Sequence, residues 1–204
     1  MRKIRKRAGE RKNHTKILQI VGYKNSGKTT LLQSLMTSTI DLSMQVATIK
    51  HHGHGGTPEP PPANTDSARF FEAGAVSSMV TGGGITLIQQ RTPGEDERLN
   101  TLDRHIKWTT THSQPDLILV EGFKSEAYPK IVLIRSLEDW ISLQHLSSIM
   151  LVIAIEHDLT AEIAEHHRAT SIQSSNFTIY NRDQHHDITS WFTRWLKGAA
   201  YESL

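Results

Sequence analysis

A chain of 204 residues without a single cysteine can bury a hydrophobic core unaided, and disulfides and thiolate metal sites are excluded. Its longest apolar runs, such as Leu117–Val120 and Ile149–Ile155, fall far short of the ~20 residues that span a bilayer, so a soluble, cytoplasmic protein with no membrane contact is expected. The formal net charge of +2 conceals an asymmetry, because residues 1–16 hold eight Lys or Arg against one acid, which leaves the remainder net negative. Such a basic block reads as a disordered, solvated arm ahead of one domain over residues 17–204; contact with nucleic acid or an acidic partner is the less favoured alternative. No apolar stretch follows it that would make it a secretory signal.

In chain order, Ile17–Gly22 (ILQIVG) reads as a strand, and Lys28–Met36 carries Leu31, Leu32 and Leu35 at helical spacing. Gln45–Lys50 is a second strand, followed by a polar, Gly- and Pro-rich loop from His51 to about Asn64 and a short helix over Thr65–Ala73. Val76–Val80 and Ile85–Gln89 bracket Thr81-Gly82-Gly83-Gly84, a tight connection between two strands. Glu95–Thr110 is helical in pattern, and Pro115–Gly122 (PDLILVEG) is an apolar strand of the kind buried on both faces. Lys130–Ile134, Ile149–Ile155 and Phe177–Tyr180 are further strands, and Asp187–Gly198 is a terminal amphipathic helix whose Trp191, Phe192 and Trp195 face the core. Strands alternating with helices predict an α/β fold with a mostly parallel sheet, whose ligands collect at the carboxyl ends of the strands.

Gly22, four residues, then Gly27-Lys28-Thr29 is the phosphate-loop pattern, here between a strand and a helix as the motif requires. The fold class is therefore a P-loop NTPase-like three-layer sandwich. Glycines let successive backbone N–H groups face phosphate oxygens, Lys28 reaches the β- and γ-phosphates, and the Thr29 hydroxyl suits Mg²⁺. The acidic partner expected at the end of a neighbouring buried strand is Glu121, with Asp66 as a competing carboxylate. Asp116 begins the Glu121 strand, at the opposite end of the sheet, where capping is its role. For IKHHGHGG, Ile49–Gly56, three readings are open: phosphate or pterin recognition by Lys50 and the histidines, a metal held by His51, His52 and His54 despite cramped spacing, or a solvated loop.

Four segments in this order, VGYKNSGKTT, IKHHGHGG, TDSARFFEAGA and DLILVEGFK, resemble the molybdopterin-guanine dinucleotide biosynthesis protein B (MobB) family, and the resemblance runs from about Ile17 to the C-terminus. It implies a GTP-binding homodimer, an adapter with weak GTPase activity that assists the guanylyltransferase MobA in attaching GMP to molybdopterin. It also implies nucleotide contacts from Gly22, Asn25, Ser26, Gly27, Lys28, Thr29 and Thr30, with Lys50, His51, His52, Asp66, Glu121 and Lys124 around the site. Lys28 and Glu121 are the candidate catalytic residues; Thr29, Glu121 and Asp66 are the candidate Mg²⁺ holders. The long basic arm and the Pro58–Pro62 insert depart from the family pattern. Asn181-Arg182-Asp183 follows the last strand without the Asn-Lys-x-Asp spacing of common GTPases, so guanine contact and helix capping both stay open for Asn181 and Asp183.

Two other functions compete with the adapter. A small-molecule kinase would use ATP with Glu121 or Asp66 as base, but no arginine-rich lid is visible; a nucleic-acid-binding NTPase would grip DNA through the arm. Slow hydrolysis is expected because neither an arginine finger nor a catalytic glutamine can be assigned from the sequence, and such a finger is worth ~10³ to 10⁵ in rate.

Overall fold

The computed structural model describes residues 15–52, 65–91, 101–169 and 177–198. The basic arm up to residue 14, His54, the proline-rich insert and the Glu95 start of the predicted third helix lie outside them. The elements are β1 (Lys16–Gly22), α1 (Lys28–Ile40), β2 (Val46–Lys50), α2 (Asp66–Glu72), β3 (Ser77–Gly82), β4 (Ile85–Gln90), α3 (Leu102–Ser113), β5 (Leu117–Glu121), β6 (Lys130–Ile134), α4 (Leu137–Leu143), β7 (Ile149–Ala154), α5 (His157–Ala169), β8 (Thr178–Asn181) and α6 (His185–Lys197). All predicted strands are present with ends moved by a residue or two. Two helices, α4 and α5, are additional to the prediction, and α3 runs on to Ser113.

Six strands form one parallel sheet in the order β2-β5-β1-β6-β7-β8. Successive side chains leave a strand on opposite faces, and the alternation sorts them into two cores. Leu18, Ile20, Leu117, Leu119, Ile131 and Leu133 pack under α1 and α6, where Trp191 and Phe192 are buried and Trp195 is partly so. On the other face Ile118 and Val120 meet Leu102 and Ile106 of α3, and Val132 and Val152 meet Trp140 of α4 and Ile163 of α5. The central strands are apolar on both faces because helices cover both. β1 lies between β5 and β6, with Ile20 in register with both Glu121 and Ile131. The carboxyl ends of β1, β5 and β6 therefore open on the same edge, which is where a ligand of such a sheet sits.

Two local devices position that edge. Lys130 is wholly buried, and its ammonium donates to the carbonyls of Glu126 (2.6 Å), Tyr128 (2.9 Å) and Ser147 (2.7 Å), pinning the Glu121–Lys130 connection to the turn before β7. Asp116 accepts a hydrogen bond from the Gln45 N–H at 2.8 Å, tying the start of β5 to the approach to β2 and matching its expected capping role.

β3 and β4 pair antiparallel as a separate ribbon, joined by Gly83 and Gly84 with φ of 58° and 81°. Two consecutive positive φ values make the tight hairpin turn that favours glycine.

Candidate nucleotide site

The loop between β1 and α1 is shaped by close approach and by handedness. A Cβ at Gly22 would lie 2.6 Å from the Leu133 carbonyl oxygen of β6 and 2.7 Å from Ser26 Oγ, so only glycine lets β1 pass there. Asn25 (φ 62°) and Gly27 (φ 84°) adopt the left-handed conformation, and the Ser26 N–H closes a turn on the Tyr23 carbonyl at 3.3 Å. Such alternation of handedness gathers backbone N–H groups into an anion-binding concavity at a helix N-terminus. Ser26 is buried and its hydroxyl has no hydrogen-bond partner among the described residues. The Lys28 ammonium is held over the loop by the Tyr23 carbonyl at 2.6 Å. Burial pushes its pKa down, Glu121 opposes this, and the neighbouring Lys124, Lys50 and Arg135 push it down further.

Opposite the lysine stands the acid. Glu121, 8% exposed at the end of β5, accepts a hydrogen bond from Thr29 Oγ1 on Oε2 at 3.0 Å and lies 3.3 Å from the Lys50 ammonium through Oε1. The parallel register puts Lys50 directly beside Glu121. At Gly122 (φ 97°) a Cβ would lie 2.9 Å from His51 Cβ, so β2 and β5 remain close past their ends. The His51 ring packs 4.7 Å from Phe123, and the Lys124 ammonium sits 4.0 Å over the Tyr23 ring. Gln19 supports this loop from below, its amide donating to the carbonyls of Gly122 (3.2 Å) and Phe123 (2.8 Å).

Lys28, Thr29, Lys50, His51, Glu121 and Lys124 thus come together from three parts of the chain, with Gly22, Asn25, Ser26, Gly27 and the exposed Thr30 on the same loop and helix start. His52 is exposed at the end of its described segment. Asp66 stands apart: its carboxylate is 85% exposed and paired with Arg69 at 3.7 Å, and no described contact joins it to Thr29 or Glu121. Asn181 accepts the Asp183 N–H at 3.0 Å, and Gln184 Oε1 accepts the Asn181 N–H at 2.8 Å. The Asp183 carboxylate lies 3.6 Å from His157 and 3.7 Å from Arg182. These are the bonds of a turn that starts α6. Among the described residues, no group of three or more His, Asp or Glu gathers as a metal cluster.

Arg135, just past β6, is part of the site and was not expected. Its guanidinium bonds the Lys24 carbonyl of the loop at 3.0 Å and forks onto the buried Asp139 at 2.8 and 3.0 Å. The only sequence signal was a basic residue at the end of an apolar strand.

Comparison with known proteins gives the family of the chain. Residues 17–156 match the model of a family described as MobB, molybdopterin guanine dinucleotide synthesis protein B. The chain belongs to the MobB family. It is 32% identical over 144 residues to the probable molybdopterin-guanine dinucleotide biosynthesis adapter protein of Bacillus subtilis (strain 168), covering 71% of this chain and 79% of that one. It is also 35% identical over 147 residues to the adapter protein of the same description from Haemophilus influenzae, covering 72% and 78%. The crystal structure of a MobB homologue from Bacillus stearothermophilus superposes with a TM-score of 0.64 at 30% identity, over 89% of this chain and 98% of that one. The MobB match includes the loop, Lys50–His52, Glu121–Lys124 and Arg135, and it ends before Asn181 and Asp183.

Proposed function

We propose that this chain is an adapter in molybdopterin guanine dinucleotide synthesis that binds GTP with Mg²⁺ at the β1–α1 loop. The observation that carries the reading is the meeting of Thr29 and Glu121 at 3.0 Å beside the Lys28 ammonium, inside a chain whose relatives carry that adapter description. Both groups are oxygen donors, the kind Mg²⁺ takes, so the residues fit the ion. Mg²⁺ would be held there by Thr29 and Glu121, and when bound it would supply positive charge against the phosphates. The chain itself contributes the loop N–H groups and the Lys28 ammonium to the phosphates. Lys50, His51 and Lys124 present positive charge and ring surface toward a second anion, which we assign to the phosphate of molybdopterin or to an acidic face of the guanylyltransferase that uses the GTP. Hydrolysis is slow in this reading, since Arg135 is committed to Asp139 and to the loop.

A homodimer completes the proposal. The β3–β4 ribbon exposes Met79 (62%) and Ile88 (42%) on one face and Val80 (46%) and Leu87 (60%) on the other. A lone two-stranded ribbon is marginal in water, and one that is apolar on both faces is suited to a second copy.

Calorimetric titration of GTP and ATP with Mg²⁺, with Lys28→Ala as control, tests the reading. GTP binding that exceeds ATP binding and vanishes in the variant is the expected result. A preference for ATP with phosphate passed to a small metabolite would replace the adapter by a kinase. If Asn181 and Asp183 read the base, their alanine variants lose the preference for GTP while keeping affinity for inorganic triphosphate.

A further inference from the structure

The turn Tyr23-Lys24-Asn25-Ser26 is closed by the Ser26 N–H on the Tyr23 carbonyl. Its third residue, Asn25, has φ 62°, whereas Lys24 is not among the residues of positive φ. A positive φ confined to the third position marks a type II turn. Type I and type II turns differ in the orientation of the central peptide, here Lys24–Asn25; type II takes glycine or asparagine at its third position, and asparagine adopts the left-handed φ less readily than glycine. Asn25 tolerates this orientation, and a contact from outside the turn holds the central peptide in it. The Lys24 carbonyl accepts a hydrogen bond from Arg135 Nη1 at 3.0 Å. In a trans peptide the carbonyl and the following N–H point in opposite directions, so the bond that holds the carbonyl also aims the Asn25 N–H away from Arg135.

Arg135 is itself immobilised. Its Nε and Nη2 fork onto the two carboxylate oxygens of Asp139, at 2.8 and 3.0 Å, and its own N–H reaches Asp139 Oδ2 at 3.1 Å. Asp139 is 6% exposed in the first turn of α4, where the Ser136 hydroxyl accepts its N–H at 3.3 Å. A planar, bidentate pair fixes direction as well as distance.

We infer that Arg135, braced by Asp139, is a positioning residue that presets the Lys24–Asn25 peptide of the phosphate loop, so that the Asn25 N–H is already turned toward the bound phosphates. The inference rests on the nucleotide-binding reading above, but the preset peptide is a property of the free protein and can be observed there. A rival role, in which Arg135 simply attracts the anion by its charge, makes the opposite prediction for Asp139. Removing that carboxylate would free the arginine and strengthen binding, whereas removing a brace weakens it.

The experiment uses the full chain as wild type, Arg135→Lys, Arg135→Met, Asp139→Asn and the double variant Arg135→Met with Asn25→Gly. Folding is checked by circular dichroism, affinity for GTP with Mg²⁺ is measured by calorimetry, and the Asn25 and Ser26 amide signals of the free protein are followed by ¹⁵N NMR. Loss of one aligned donor to a charged acceptor weakens binding by about ten- to a hundredfold in both Arg135 variants. Asp139→Asn weakens it in the same direction, and the Asn25 amide signal moves in all three free proteins. Asn25→Gly, which accepts the type II turn without strain, recovers part of the affinity of Arg135→Met. Wild-type affinity in Arg135→Lys, or tighter binding by Asp139→Asn, would overturn the positioning role in favour of charge. An Asn25 amide unmoved by Arg135→Met would overturn it outright. If wild type binds no nucleotide, the function proposed above fails, and the free-protein amide signals still decide the brace. Should Asp139→Asn not fold, the two Arg135 variants and the glycine rescue decide it.

Discussion

A methyl group at position 22 would meet backbone on one side and a buried hydroxyl on the other, so the phosphate loop depends on glycines for two different reasons. Gly22→Ala forces β1 and β6 apart and should cost about 1–3 kcal/mol, the usual range for overpacking. Gly27→Ala meets only Leu133 Cδ2 at 3.9 Å, and its cost is the left-handed φ of 84°, about 1–2 kcal/mol. Urea unfolding of both variants measures the difference; nucleotide binding should suffer in both. Lys28 carries a pH prediction. Burial and three cationic neighbours lower its pKa in the free protein, and bound phosphates would raise it, so binding should take up protons and weaken as pH rises through the free-state value. Calorimetry in buffers of different ionisation enthalpy reads this uptake, which Lys28→Ala should abolish. These residues were legible in the sequence because the loop is local: one strand end, one turn and one helix start carry it. Arg135 was not, because its acceptor on the loop is 111 residues away.

Two helices, α4 and α5, escaped the sequence for a related reason. α4 has seven residues, too few for a helical period to register, and its N-cap Ser136 has meaning only once Arg135 and Asp139 are seen to pair. α5 has Leu159 and Ile163 as its buried apolar pair, so tertiary packing rather than pattern defines it. The Arg135–Asp139 pair should make the β6–α4 junction sensitive to acid. Hydrogen bonds from Arg135 hold the Asp139 carboxyl below its ordinary range, so its contribution is complete above about pH 4 and is lost as pH falls through the folded value. The melting temperatures of wild type and Asp139→Asn should therefore differ near neutral pH and converge in acid. Lys130 staples the next element. Burial lowers its pKa to about 8, which leaves it charged at neutral pH with three carbonyls to serve. Lys130→Met deprives those carbonyls of their donor and should cost about 2–4 kcal/mol by urea denaturation.

For the molecule as a whole, the exposed apolar ribbon makes the most direct prediction. Met79→Asp together with Leu87→Asp places a charge on each face, and sedimentation should find a dimer for wild type and a monomer for this variant; the same mass for both proteins would remove the ribbon from the proposed interface. The six-stranded parallel sheet and its two helical layers could be anticipated because continuous apolar strands such as LILV need cover on both faces. The strand order could not, since nothing in a single segment states which strand lies beside β1. That order puts the ends of β5 and β6 on either side of the loop, and so decides that Glu121 reaches Thr29 and that Arg135 reaches Lys24. It also leaves Asp66, close to the histidine loop in sequence, in an exposed pair with Arg69. By itself, then, the sequence determined what is local: the strand-loop-helix with its glycines, lysine and threonine, and the apolar strands. Tertiary structure alone decided which distant side chains complete the site, because hydrogen bonds and charge pairing act across a few ångströms of space and take no account of separation along the chain.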